Sequence, residues 1–262
     1  MEAPEPAPAP SLEPRRVPAA RGWAWIVEGF LLFRAAPLQW GALTVLLFVA
    51  LKVVGIIPVV GLVAVLAAPN FLAGLAHGAQ ALERGKPLRA GYLLSGFLKS
   101  GAPLITIGAL SLAAYLGIAM LVAALGGDAL RQLAELGPGG MADPANQAKL
   151  QQLAPELTEA MLVGIGLSLP VVLATWFAPL LVFFDDAGVV PSLWLSLKAC
   201  LRNVGAFTVY GAAVMAGLVL LLPFSLAARQ LDLGWWMLAP ILIPSVYAGY
   251  KDLFPGSRVR QG

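Results

Sequence analysis

The chain has 262 residues, of which 59% are hydrophobic and 12% charged, with a mean hydropathy of +0.82. A soluble domain carries about 25% charged residues. This chain falls too far below that to cover itself with a wetted surface, so composition makes it an integral membrane protein. The formal net charge is +3, and there is one cysteine, Cys200, and one histidine, His77. Those counts exclude an intramolecular disulfide and all but exclude a Cys/His metal cluster or a Cys–His–Asp catalytic set.

The first twenty residues hold prolines at 4, 6, 8, 10, 14 and 18. That spacing predicts an extended, disordered tail over 1–20. Arg15-Arg16 is followed by an apolar stretch carrying Glu28 and Arg34 and no cleavage signal, so the tail is expected to stay attached on the cytoplasmic side.

Six segments approach the roughly 20 apolar residues that cross a bilayer: 37–57, 60–82, 102–126, 161–184, 205–228 and 234–254. An even number puts both termini on one side. With that side inward, the inner segments hold Arg15, Arg16, Arg21, Arg34, Arg84, Lys86, Arg89, Lys99, Lys198, Arg202, Lys251, Arg258 and Arg260. Lys52, Arg131, Lys149 and Arg229 remain outside, with Lys52 placed to snorkel. The basic bias favours cytoplasmic termini. The long loop 127–160 then faces outward. Asp128 is expected to cap one short surface helix ending at Gly137, and Asp143-Pro144 to start another.

The layout repeats three times. "LFRAAP" (32–37), "FLKSGAP" (97–103) and "CLRNVGA" (200–206) each place a basic residue, Arg34, Lys99 or Arg202, just before a span. Upstream of each lies an amphipathic pattern too short to cross, suited to an interfacial helix: Trp23, Ile26, Val27 and Phe30; Ala90, Leu93, Leu94 and Phe97; Leu193, Trp194, Leu197, Cys200 and Leu201. Each unit closes on an acid, namely Glu83, the Asp185/Asp186 pair, and Asp252. The membrane domain 21–254 thus divides into parallel units of about 21–85, 86–188 and 189–254, with 255–262 as a second cytoplasmic tail. Its fold class is all-α: a polytopic protein of three hairpins, each preceded by an interfacial helix.

Few residues are placed for chemistry. Asp185 and Asp186 end the run "APLLVFFDD" at the inner interface, where a charge costs little; at the bilayer centre it costs about 2.5–3.5 kcal/mol. "DDAGVVPS" reads as a turn into the next helix. Three acids and three basic anchors at one depth suggest ion pairs across unit boundaries, Glu83, Asp185/Asp186 and Asp252 with Arg34, Lys99 and Arg202. Asn70 and His77 share one face of the second span, beside the small-residue pair Gly74 and Gly78, and are expected at a close helix contact; the sharper reading is a hydrophilic path. Trp23, Trp25, Trp40, Trp194, Trp235 and Trp236 are expected as interfacial anchors. No phosphate loop, dinucleotide fingerprint, zinc helix or nucleophile elbow is present.

Gly22-Trp23, Trp25, Gly29-Phe30, "LFRAAP", "ALERG" (81–85), "APLLVFFDD", "ACLRN" (199–203) and "YAGYKDLF" (247–254) resemble the BPSS-type six-span inner-membrane proteins of proteobacteria, an uncharacterised family. The resemblance covers about 20–254. It implies a bacterial inner-membrane location and brings no catalytic or binding residue. A looser similarity is to the multi-span membrane domain of glycerophosphodiester phosphodiesterases, whose catalytic barrel has no counterpart in this chain.

These readings lead to a non-enzymatic scaffold or accessory component, with no cofactor and no bound metal. The expected partners are membrane lipids and other membrane proteins, not nucleic acid. The alternative is a small transporter, channel or lipid-handling protein with a path between hairpins.

Overall fold

The computed structural model describes residues 12–55, 58–137, 143–228, 233–257 and 259, with side chains described outside 52–61. Nine α-helices and one 3-10 turn account for most of them, and no strand occurs among the described residues. The helices are α1 (Arg21–Ala35), α2 (Pro37–Gly55), α3 (Pro58–Glu83), α4 (Tyr92–Glu135), α5 (Gln147–Thr175), α6 (Ala178–Asp185), α7 (Val189–Arg202), α8 (Val204–Ala227) and α9 (Leu233–Leu253). Two compact units result, one made of residues 1–109 and 173–262, the other of 110–172.

In the larger unit α9 is the central element, packed against α1, α2, α3 and α8. Its Ala239, Pro240, Pro244, Tyr247, Ala248, Tyr250 and Leu253 are buried. Two prolines inside a helix are tolerated where neighbours enclose the backbone. α1 reaches α8 and α9 through Gly22, Trp25 and Gly29, which recur at i, i+3 and i+7. A Cβ on Gly22 would lie 1.9 Å from the Ala206 carbonyl oxygen, and one on Gly29 would lie 2.6 Å from that of Ile241. The backbones therefore meet directly, as small residues permit in membrane helices. The opposite face of α1 leaves Trp23, Val27, Phe30 and Leu31 exposed.

Sequence sets the breaks. Pro37 disfavours helix at Ala36, whose φ of −151° and ψ of 62° turn the chain, and α1 meets α2 at 102°. Pro179 lacks an N–H and crowds the carbonyl four residues back, so the chain breaks at 176–177, between α5 and α6. Ser196 of α7 repairs that break: its hydroxyl donates to Leu173 O (2.7 Å) and accepts from Phe177 N–H (2.9 Å). Every residue of α6 is buried.

The smaller unit is an antiparallel pairing of segments of α4 and α5. Small residues again set the contact, with a Cβ on Gly126 falling 2.9 Å from Ala160 Cβ and one on Gly164 falling 2.9 Å from Val122 Cγ2.

Several expectations change. The second interfacial helix does not separate from its span, because nothing between Tyr92 and Glu135 stops the helix; Pro103 lies inside it. The outer-loop helices are extensions of α4 and α5 rather than separate surface helices. Gly126-Gly127 does not break α4, which runs to Glu135 and gives way to Gly137 at φ +68°. Asp143 does cap the turn Pro144–Asn146, accepting from Ala145 N–H at 2.9 Å, and α5 then runs on through Thr175. Trp25 and Trp40 are core residues, 2% and 0% exposed, whereas Trp23, Trp194 and Trp235 are exposed as interfacial anchors should be.

Among the described residues, four helical stretches are long and apolar enough to cross a membrane: Leu62–Glu83, Tyr92–Glu135, Pro144–Asp185 and Val204–Ala227. The bent pair of α1 and α2 makes a fifth if counted as one span. α9 is not among them. The chain is an all-α polytopic membrane protein. The side chain of Lys52, residues 1–11, Arg229, Arg258 and Arg260 lie outside the described residues.

Candidate functional site at the charged end of the helices

The acids that close the three units gather at one end of the larger unit. Asp252 is 3% exposed and receives three side chains. Arg15 and Arg21 form ion pairs with it, Arg21 Nε at 2.6 Å, and Trp25 Nε1 donates at 2.9 Å. Arg15 Nε also donates to the Asp252 carbonyl at 2.6 Å, and Arg15 N–H to Leu253 O at 2.9 Å.

These contacts belong to a strap. Residues 12–20, expected as part of a disordered tail, lie across α7, α8 and α9. Asn203, 3% exposed in the break between α7 and α8, accepts from Val17 N–H (2.8 Å) and donates to Arg15 O (3.0 Å) and Ala199 O (2.9 Å). Glu13 pairs with Lys198 (2.6 Å) and Arg202 (3.2 Å). The hydrogen bond from Lys198 holds the Glu13 carboxyl below its usual range. Arg202 therefore serves the strap and not a closing acid.

Asp185 and Asp186 have separate tasks. Asp185, 8% exposed, accepts from the Tyr250 hydroxyl and from Ser257 Oγ at 2.9 Å. Ser257 belongs to the expected C-terminal tail; here it folds back against the helices and is fully buried. Asp186 is the left-handed cap of α6, at φ 51° and ψ 30°, and lies 3.6 Å from Lys99 Nζ. Lys99 also donates to the Phe183 carbonyl and stands over the Phe183 ring. Glu83 is joined to α9 by Lys251 and by the Tyr247 hydroxyl at 2.7 Å. Arg34 is exposed and joins none of these pairs.

The acids thus do bridge between units, but the partners of Glu83 and Asp252 are Lys251, Arg15, Arg21 and Trp25 rather than the basic anchors before the spans. Of the pairings expected from sequence, Lys99 with Asp186 is brought together, inside one unit. Tyr247, Tyr250, Ser257, Trp25 and Asn203 escape a reading based on charge. Tyr247 and Tyr250 lie in "YAGYKDLF" and Asn203 in "ACLRN", whereas Trp25 and Ser257 lie in neither.

Asn70 and His77 lie on α3. Gly74 and Gly78 make the expected close contact, with a Cβ on Gly74 falling 2.3 Å from Tyr92 O. Ser95 Oγ donates to Tyr92 O at 2.8 Å, which leaves its lone pairs to accept from His77 Nδ1–H at 3.2 Å. The His77 ring stands edge-on to Tyr92, centroids 4.9 Å apart. Asn70 is fully buried, and neither polar atom of its side chain has a hydrogen-bond partner among the described residues. No group of three or more metal-ligating side chains occurs among the described residues.

An all-α chain of long apolar helices, whose larger unit gathers Glu83, Asp185 and Asp252 with their partners at one end, defines a polytopic membrane protein. The chain is 32% identical over 257 residues to a probable inner membrane protein of Burkholderia thailandensis (strain E264), covering 91% of this chain and 92% of the relative. It belongs to the family of that inner-membrane protein. No protein-family model matches the chain, and no solved structure matches it significantly.

Proposed function

We propose that this inner-membrane protein is a non-enzymatic scaffold or accessory component. Its six spans form three parallel hairpins, and its charged end and both termini face the cytoplasm. One observation carries the reading. At the charged end, Asp252, Asp185 and Glu83 are each engaged by the chain's own donors, which brace α9 to the strap, α6 and α3. A site devoted to turnover keeps polar groups open toward a substrate. Here Asp252 and Asp185 are buried against those donors and fix helices, and α1 and α7 leave apolar stripes uncovered, Trp23, Val27 and Phe30 on one and Val190, Trp194 and Leu201 on the other.

The test is native electrophoresis of gently solubilised inner membranes. An assembly larger than the detergent-bound monomer, which collapses in Trp194→Glu, supports the scaffold. A single stable monomer without a partner overturns it.

The second reading is a transporter or lipid-handling protein, favoured by Asn70, whose buried amide has no described hydrogen bond. Reconstituted flux that disappears in Asn70→Leu or Asp186→Asn would support this reading over the scaffold.

A further inference from the structure

A groove of about 310 Å³ opens between α1, α3 and α9 at the charged end, lined by Glu28, Leu31, Leu32, Glu83, Ala248 and Lys251. Its walls follow from helix periodicity. Glu28, Leu31 and Leu32 stand at i, i+3 and i+4 on α1, and Ala248 and Lys251 at i and i+3 on α9. The floor is apolar and the rim is charged. Leu31, 47% exposed, continues the groove into the uncovered stripe of α1.

The rim carries both signs. Glu83 pairs with Lys251, and Glu28 pairs with Arg21 at 2.8 Å. The side chains stay open to a ligand, with Glu28 33%, Glu83 39% and Lys251 24% exposed. Two carboxylates and one ammonium over an apolar wall complement a molecule with a donor-bearing cation, a neighbouring anion and a hydrocarbon tail. An anionic headgroup would meet two carboxylates. A quaternary ammonium offers them no N–H. A primary ammonium donates charge-assisted hydrogen bonds to carboxylates, and a phosphate accepts one from a lysine.

We propose that this groove is a headgroup site for a zwitterionic aminophospholipid, with its primary amine between Glu28 and Glu83 and its phosphate at Lys251. The acyl chains leave along Leu31 and the exposed face of α1. The site is independent of the scaffold reading, since either a scaffold or a transporter can hold a structural lipid.

The experiment is native mass spectrometry of the full-length protein in detergent. The probes are dioleoyl phosphatidylethanolamine, its mono- and dimethyl derivatives, dioleoyl phosphatidylcholine and dioleoyl phosphatidylglycerol at equal concentration. Retention should fall stepwise with methylation and differ by about tenfold between the primary and quaternary amines, the effect of one charge-assisted hydrogen bond. Glu28→Gln with Glu83→Gln should bring phosphatidylethanolamine to the phosphatidylcholine level while helicity and elution volume hold. Equal retention of all headgroups, or preference for phosphatidylglycerol, overturns the site. The headgroup series on the unaltered protein decides the question even if the double variant fails to fold.

Discussion

Arg15 ties the start of the described chain to its last helix through Asp252. Its guanidinium takes both the carboxylate and the carbonyl of that residue, and Arg21 takes the other carboxylate oxygen. The acid is nearly sealed, with 4% side-chain exposure, while Arg15 and Arg21 are 45% and 37% exposed. Either arginine can be lost to water while the other still covers the carboxylate. Losing both strands a buried charge. Arg15→Ala and Arg21→Ala should each cost about 1 kcal/mol, and the double variant about 3–5 kcal/mol, more than the sum. Unfolding in detergent across the double-mutant cycle checks this; strictly additive losses would refute the shared-acid account.

A second expectation concerns glycine. On Gly22 a methyl group would strike the carbonyl oxygen of Ala206, which belongs to backbone and cannot swing away. Gly41, inside α2, has nothing within 4 Å of an added Cβ. Gly22→Ala should destabilise by about 3 kcal/mol through overpacking. Gly41→Ala should stabilise by about 0.5–1 kcal/mol by removing backbone entropy from the unfolded chain. Thermal unfolding of both variants, read by the same probe, gives opposite signs if α1 docks as described and matching signs if it does not.

Much of this architecture was legible because it depends on local rules. Asp143-Pro144 forecasts the cap, and of the stripe expected on α7, Trp194 and Leu201 are exposed while Cys200 is buried. Gly74 and Gly78 announce a close contact. Charge partners were not legible. An acid at the right depth can meet any base at that depth, and tertiary packing alone assigns Lys251 to Glu83 and the strap to Asp252. Prolines 14 and 18 favour an extended backbone, and composition alone reads it as part of a disordered tail. It cannot see that Asn203 offers that backbone an acceptor and a donor. Trp25 misleads for a related reason: indole suits an interface, but its N–H also suits a buried carboxylate.

Orientation can be read without removing the thiol the protein already has. Cys200 is buried, and burial pushes its thiol up to about 12. Maleimides react with thiolate, so Cys200 should stay silent. With it in place, Ala134→Cys should react with a membrane-impermeant maleimide in intact spheroplasts. Ala3→Cys and Gln261→Cys should react only after permeabilisation. The reverse pattern would overturn cytoplasmic termini.

The doubled acid of "APLLVFFDD" separates a structural boundary from a functional charge. Asp186 holds the left-handed conformation that ends α6, and Ala187 N–H returns to Leu181 O at 3.3 Å. Aspartate tolerates that conformation, glycine prefers it, and a β-branched residue resists it. Its ion pair with Lys99, between side chains about half exposed, adds little. Asp186→Asn and Asp186→Gly should therefore stay within about 0.5 kcal/mol of the parent, while Asp186→Val should lose about 1–2 kcal/mol. Asp185 behaves differently, because Tyr250 and Ser257 donate to it inside the core. Asp185→Val should cost about 2–3 kcal/mol by leaving those hydroxyls without their acceptor. Denaturant titrations of the four variants check the order. If Asp186→Asn proves as damaging as Asp186→Val, its charge and not its backbone is what the second aspartate supplies.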